Sequence, residues 1–129
     1  LQEQEKRKEQ MKRARENEVR FRELKGKFFG LEFTDGTIVV RVLDSVEAYY
    51  DEGNALHHCV GQCECYLKPN TLVFSARIED KRVETVELSL ETFKVLQSRG
   101  VCNQSTEYHD RIIKLVSKNV SLIRKRMVA

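Results

Sequence analysis

Three runs of strand-forming residues follow one another almost without a gap. They are TLVFSARI (71–78), RVETVELSL (82–90) and FKVLQSRG (93–100), joined by EDK and ET. A parallel pairing needs a crossover of a dozen or more residues. Linkers this short therefore make an antiparallel meander the simplest topology. A hairpin precedes it in KFFGLEFTDGTIVVRVL (27–43). Phe29, Leu31 and Phe33 alternate to one side, and Ile38, Val40 and Val42 answer after Asp35-Gly36. That dipeptide is a hairpin signal because glycine supplies the positive φ the turn requires.

Helical patterns surround the strands. Residues 1–27 are rich in Gln, Glu, Lys, Arg, Met and Ala, with no glycine before Gly26. These are good helix formers. The stripe of Met11, Ala14, Phe21 and Leu24 is sparse, so this helix should run exposed and dock only near Phe21 and Leu24, with Gly26 ending it. DSVEAYYDEG (44–53) reads as a short helix, with Asp44 capping, Glu47 three residues on and Gly53 closing. STEYHDRIIKLVSKNVSLIRKRMV (105–128) reads as one amphipathic helix with Ser105 as its N-cap. Tyr108, Ile112, Leu115, Val116, Ile123 and Met127 form its apolar side, and Arg111, Lys114, Lys118 and Lys125 a basic stripe opposite. The fold class expected is α+β. Residues 1–27 form a polar helical linker or the end of an upstream region, and residues 28–129 the domain. The chain opens on Leu1 rather than Met, which reads as a processed chain or a piece of something longer.

Charge is segregated. Residues 1–27 hold 10 Lys/Arg against 6 Asp/Glu, residues 28–108 hold 7 against 13, and residues 109–129 hold 6 against 1. Basic ends can meet phosphate backbones; a charged run is also simply a solvated helix face. No apolar run approaches the roughly 20 residues of a membrane helix. Nothing marks the chain as secreted, so Cys59, Cys63, Cys65 and Cys102 read as reduced thiols in a cytoplasm. The spacing of Cys63 and Cys65 is unfavourable for a disulfide.

Two polar blocks carry the chemistry. In the meander, alternation puts Val83, Thr85, Glu87 and Ser89 on one face of the second strand, and Phe93, Val95, Gln97 and Arg99 on one face of the third. A tight turn near Glu91-Thr92 sets Glu87 beside Val95 and Thr85 beside Gln97. With Ser75 and Arg77 these residues are either an ordinary solvent face or the floor of a site that needs a cover with complementary groups. The other block is NALHHCVGQCECY (54–66). His57, His58 and Cys59 suggest acid/base or thiol chemistry, although neighbouring residues on a helix point apart. The same residues also serve as buried, satisfied core. Zinc is disfavoured, since Cys59-x3-Cys63-x-Cys65 lacks the paired knuckles of structural zinc sites. No metal or other cofactor is expected.

EGNALHHCVG (52–61) with Tyr66 after it, a strand ending in Arg77, TVEL (85–88) and QSRGVCN (97–103) together resemble the PcfJ-like proteins of conjugative plasmids, integrative elements and phages. The resemblance spans about residues 28–125. It rests on the combination of H-H-C-V-G with Q-x-x-G-x-x-N. It carries over His57, His58, Cys59, Gly61, Arg77, Glu87, Gln97, Gly100 and Asn103 as motif positions and assigns none a chemical role. Cys63, Cys65 and Cys102 lie outside the pattern.

Two functions compete. A binding module in a conjugation or DNA-processing complex would hold nucleic acid on Arg111, Lys114, Lys118 and Lys125. Its N-terminal helix is then a candidate for self-association. An enzyme, a hydrolase or transferase, would use His57, His58, Cys59, Glu87, Gln97 and Asn103. On either reading His57 or His58 should lie within reach of Glu87, Gln97 or Asn103.

Overall fold

The computed structural model describes residues 2–128. A long helix α1 (Gln2–Lys25) and a 3-10 turn (Gly26–Phe28) lead into strands β1 (Glu32–Thr34) and β2 (Ile38–Val42). Helix α2 (Val46–Leu56) and a second 3-10 turn (Cys65–Leu67) precede β3 (Thr71–Ile78), β4 (Lys81–Ser89) and β5 (Val95–Arg99). A third 3-10 turn (Val101–Asn103) leads to α3 (His109–Lys118) and α4 (Val120–Met127). The hairpin and the meander join into one five-stranded antiparallel sheet in the order β1-β2-β3-β4-β5. The fold is α+β, as the alternating runs and short linkers require.

Local chemistry explains the turns. Asp35 Oδ1 accepts the backbone N–H groups of Thr37 and Ile38 at 3.0 and 2.9 Å. Those bonds, with Arg111 beside them, hold its carboxyl down at about 2. Glu79 and Asp80 both take positive φ, 50° and 66°, the geometry of a two-residue turn that matches strand twist.

Irregular register changes which side chains share a face. Ala76 pairs with Glu84 but Arg77 pairs with Arg82. Val83 is the extra residue of a β-bulge, so it packs with the apolar core and Arg82 takes the place expected for it on the polar face. A second irregularity between Glu87 and Leu88 sets Glu87 opposite Gln97, Thr85 opposite Arg99 and Leu88 opposite Val95. The expected partners, Glu87 with Val95 and Thr85 with Gln97, are thus displaced by two residues. The β4–β5 connection is wider than a tight turn: Ser89 N donates to Lys94 O, Ser89 Oγ accepts from Glu91 N and Thr92 N, and Phe93 has φ 59°. Phe93 and Val95 consequently pack on the apolar core.

The sheet separates two cores. On one face Phe33, Val40, Phe74, Val86 and Leu88 pack with Ile112, Val116 and Ile123 of α3 and α4. On the other, Val73 and Leu43 meet Val46, Tyr49 and Tyr50 of α2, Tyr66, and Ala14 and Phe21 of α1. The C-terminal segment is not one helix. It starts at His109, so Ser105 is not its cap, and it breaks at Asn119, whose side chain donates to Leu115 O at 2.8 Å. Met127 is exposed.

Helix α1 docks further along its length than its sparse apolar stripe suggests. Gln10, Ala14, Phe21 and Lys25 are buried, while Leu24 is only partly so. The added anchors are polar. Gln10 and Asn54 exchange two amide hydrogen bonds at 3.1 and 2.9 Å. Glu18 accepts the Val46 N–H at 3.0 Å, and Lys25 Nζ donates to the carbonyls of Lys68 and Thr71. Burial lowers the Lys25 ammonium to about 8 against the opposing pull of Glu87. At the start of α2, Ser45 rather than Asp44 caps, accepting the Ala48 N–H at 3.0 Å. Gly53 lies inside the helix, and the terminating left-handed residue is His57, φ 55°.

Candidate functional site

The motif loop begins where α2 ends. With His57 in the left-handed conformation, the His58 N–H folds back onto Gly53 O at 3.1 Å. That is the six-residue closure typical of a helix ending in a left-handed residue. His57 is left exposed and His58 turns toward the sheet, partly buried. The loop then lies flat on α2. A Cβ at Gly61 would come within 2.6 Å of the Tyr50 ring, so only glycine allows that approach. Gly100 is constrained in the same way after β5, where a Cβ would stand 2.8 Å from Val83 O.

The floor and its cover meet at a carboxylate that sequence reasoning did not single out. Glu52 of α2 is fully buried. Its Oε1 accepts from Ser75 Oγ and Arg82 Nε, both at 2.9 Å, and its Oε2 accepts from Thr85 Oγ1 at 2.6 Å. Arg77 Nε donates to Ser75 Oγ at 3.1 Å behind them. His58 Nε2 lies 2.8 Å from the same Thr85 Oγ1. A threonine hydroxyl has one proton, and here it is given to Glu52. His58 must therefore donate its Nε2–H to Thr85. That fixes the tautomer and leaves Nδ1 as the lone-pair nitrogen. Nδ1 is buried and has no hydrogen-bond partner among the described residues. Burial holds the imidazole below the ordinary histidine value, opposed by the Glu52 carboxylate and by its own backbone. His58 is accordingly neutral at pH 7.

The remaining expected site residues gather around this chain. His58, Cys59, Glu87, Gln97 and Asn103 line one small cavity of about 80 Å³, with Thr85 and Arg99. Gln97 Nε2 donates to Glu87 Oε1 at 3.3 Å, and Lys68 Nζ stands 3.7 Å from Glu87 Oε2. His58, Cys59 and Asn103 also border a larger cleft of about 530 Å³, together with His57, Asn54 and the first turns of α1. His57 reaches only the larger cleft. Among the described residues no group of three or more His, Cys, Asp or Glu is arranged to hold a metal ion. None of their helices is long and apolar enough to cross a membrane.

A model of the PcfJ-like protein family matches residues 1–113. The chain belongs to the PcfJ-like family. The match takes in α1 as well as the sheet, and so reaches further toward the N-terminus than the motif resemblance. No curated protein and no solved structure matches the chain. In this PcfJ-like chain Gly61 and Gly100 mark close contacts, and the histidine and sheet blocks meet at Thr85 and the small cavity.

Two expectations require correction. Cys63 and Cys65 are not free thiols; they are joined as a disulfide, with Cα atoms 5.3 Å apart. Glu64 between them is left-handed, φ 54°, and this reversal brings neighbouring side chains together. The basic stripe is also less open and less continuous than one helix would make it. Arg111 is paired with Asp35 at 2.9 Å. Lys114 and Lys118 are exposed on α3, and Lys125 is exposed on α4 beyond the break. These helices pack on the sheet face opposite α2, so the basic residues and His58 lie on opposite sides of the molecule.

A second buried carboxylate escaped the sequence reading. Glu84 alternates with Val86 and Leu88 on the apolar face and is fully buried. It accepts from Ser98 Oγ (2.6 Å), Thr106 N and Oγ1 (both 2.7 Å) and His109 Nδ1 (2.8 Å). The signal was available: a Glu in register with core valine and leucine demands partners.

Proposed function

We propose that this PcfJ-like chain is an acid/base enzyme, a hydrolase or transferase, working in the cytoplasm for a mobile genetic element. His58 is the catalytic residue; its Nδ1 is buried, so moving a proton there requires the motif loop to shift and admit the substrate. Thr85 and Glu52 are positioning residues that hold its tautomer. Asn103 and His57 supply hydrogen bonds to a substrate in the larger cleft, which Cys59 also borders, and Gln97 stands in the small cavity beside His58. The observation that carries the reading is the Glu52–Thr85–His58 chain at a cleft edge. A general base works best neutral at the operating pH and oriented by a third group.

The test is turnover of p-nitrophenyl acetate, bis(p-nitrophenyl) phosphate and end-labelled DNA and RNA oligonucleotides. One of them should be consumed by the wild type, with a rate that falls at acid pH as His58 becomes charged. His58→Gln should abolish the activity while the fold is kept. No turnover by the wild type, or full activity in His58→Gln, refutes the assignment.

A second reading has its own support. Lys114, Lys118 and Lys125 make no ion pair among the described residues, and they face away from the cleft. A nucleic acid held there would contact a surface separate from the catalytic one, through phosphates rather than base edges.

A further inference from the structure

Three of the four cysteines occur within one short loop, and the acid/base reading uses none of their redox chemistry. Cys59 is a free, exposed thiol. Cys63 and Cys65 are bonded to each other; Cys63 is exposed and Cys65 is buried. The backbone N–H of Cys63 donates to Cys59 O at 2.9 Å. That bond closes one helix-like turn, and residues four apart across such a turn lie on the same side. All three cysteines line the same cavity of about 80 Å³.

We propose that Cys59, Cys63 and Cys65 form a thiol–disulfide exchange centre that reacts with low-molecular-weight thiols and passes its disulfide between Cys63–Cys65 and Cys59–Cys63. In the internal step Cys59 loses its proton to solvent and its thiolate attacks Cys63 Sγ. The Cys59–Cys63 bond forms, the Cys63–Cys65 bond breaks, and Cys65 leaves as a thiolate that takes up a proton. One disulfide and one thiol stand on each side, so no oxidant is consumed. In the external step a small thiolate attacks the exposed Cys63 Sγ and expels Cys65, giving a mixed disulfide. A second small thiol then releases the reduced protein, and the two small thiols end as their own disulfide. Thiolate attack on the accessible sulfur is the general course of such exchange. The two disulfide forms differ in which thiol stands at the cavity, Cys59 or Cys65. The centre does not require His58 to transfer protons.

The full chain is equilibrated in glutathione buffers of graded reduced-to-oxidised ratio, quenched in acid, alkylated and mapped by tandem mass spectrometry. In oxidising buffer the label should divide between Cys59 and Cys65, and in reducing buffer it should reach all three. Cys59→Ser should lose the Cys65 label under oxidising conditions. Cys65→Ser should form a Cys59–Cys63 disulfide, which does not depend on the native pair. Three labelled thiols at every ratio, or label confined to Cys59 together with no Cys59–Cys63 bond in Cys65→Ser, overturns the proposal.

Discussion

Replacing Glu52 by Gln tests the core of the site with one atom. Glu52 accepts from Ser75, Arg82 and Thr85 with no exposure to water. In Glu52→Gln the amide oxygen should stay toward Arg82 and Ser75, because the flipped amide would set its NH₂ against the Arg82 donor. The NH₂ then faces Thr85 Oγ1 and donates to it. Thr85 must turn its own proton toward His58 Nε2, and the His58 proton must move to Nδ1. The substitution therefore swaps the tautomer without removing a side chain.

The energetic scale follows from the same contacts. Hydrogen bonds to a charged group contribute about 1.5–3 kcal/mol each, and Gln keeps part of that set, so a loss of roughly 1–3 kcal/mol is expected. Glu52→Ala removes every acceptor. Stranding a partner of a buried ion pair costs roughly 3–5 kcal/mol. Arg82, with its side chain 30% exposed, can recover water, which favours the lower end of that range. Urea unfolding measures the losses, and nitrogen-15 spectra of the imidazoles report the tautomer. A folded Glu52→Gln protein that keeps its proton on Nε2 would show that Glu52 does not orient His58. A Glu52→Ala protein as stable as wild type would show that the carboxylate is not the tie between α2 and the sheet.

Glu84 should govern stability in acid. Burial by itself raises its carboxyl, but the bonds from Ser98, Thr106 and His109 outweigh it and the net shift is downward. A depressed carboxyl contributes stability above its unfolded value and loses it as pH falls through the folded one. The urea midpoint of the wild type should fall below the ordinary glutamate range, and Glu84→Gln should start lower and flatten there; parallel curves refute the assignment. Reversing Lys114 and Lys118 to Glu should weaken any salt-sensitive binding of DNA or RNA and leave the melting temperature unchanged. Wild-type protein that binds neither at low salt removes the second reading. Lys25, lowered to about 8 by burial, is disfavoured as a cation in the fold, so its contribution to stability should rise with pH from about 8 to its unfolded value of 10.5, and Lys25→Met should lack that rise in a urea series.

The strands and their order were legible because short linkers permit few topologies and the apolar residues alternate. The polar face was legible in composition but not in register. A bulge at Val83 put Arg82 in its place, and the irregularity after Glu87 together with the wider β4–β5 turn moved β5 by two residues; bulges are set by local twist that a two-residue period does not encode. Glu52 stood inside the motif block on the helix face of Val46, Tyr49 and Tyr50, where a charged residue signals a partner. It was passed over because the histidines drew the chemistry. Docking of α1 was underestimated because its anchors are polar: an amide pair, a buried lysine and a carboxylate on another helix's first turn have no hydrophobic signature. The disulfide was missed because one left-handed residue, Glu64, defeats the usual geometry of that spacing.

The two walls of the larger cleft are held by forces of unequal strength. Below the motif loop, α2 is fixed to the sheet by the Glu52 network and by the aromatic packing of Tyr49, Tyr50 and Tyr66. The opposite wall is the start of α1, where Arg7 bridges to Glu47 and Asp51 at 3.3 and 3.0 Å with all three side chains about half exposed. Ion pairs of that exposure contribute about 0–1 kcal/mol and weaken with salt. Firm anchoring begins only at Gln10 and Ala14 and is completed by Phe21 and Lys25. The cleft therefore has a rigid side, which carries the His58 chain, and a side whose grip on α2 is electrostatic. On the proposed acid/base reading, catalytic geometry belongs on the first side and substrate entry on the second, a division that matches which residues the fold buries.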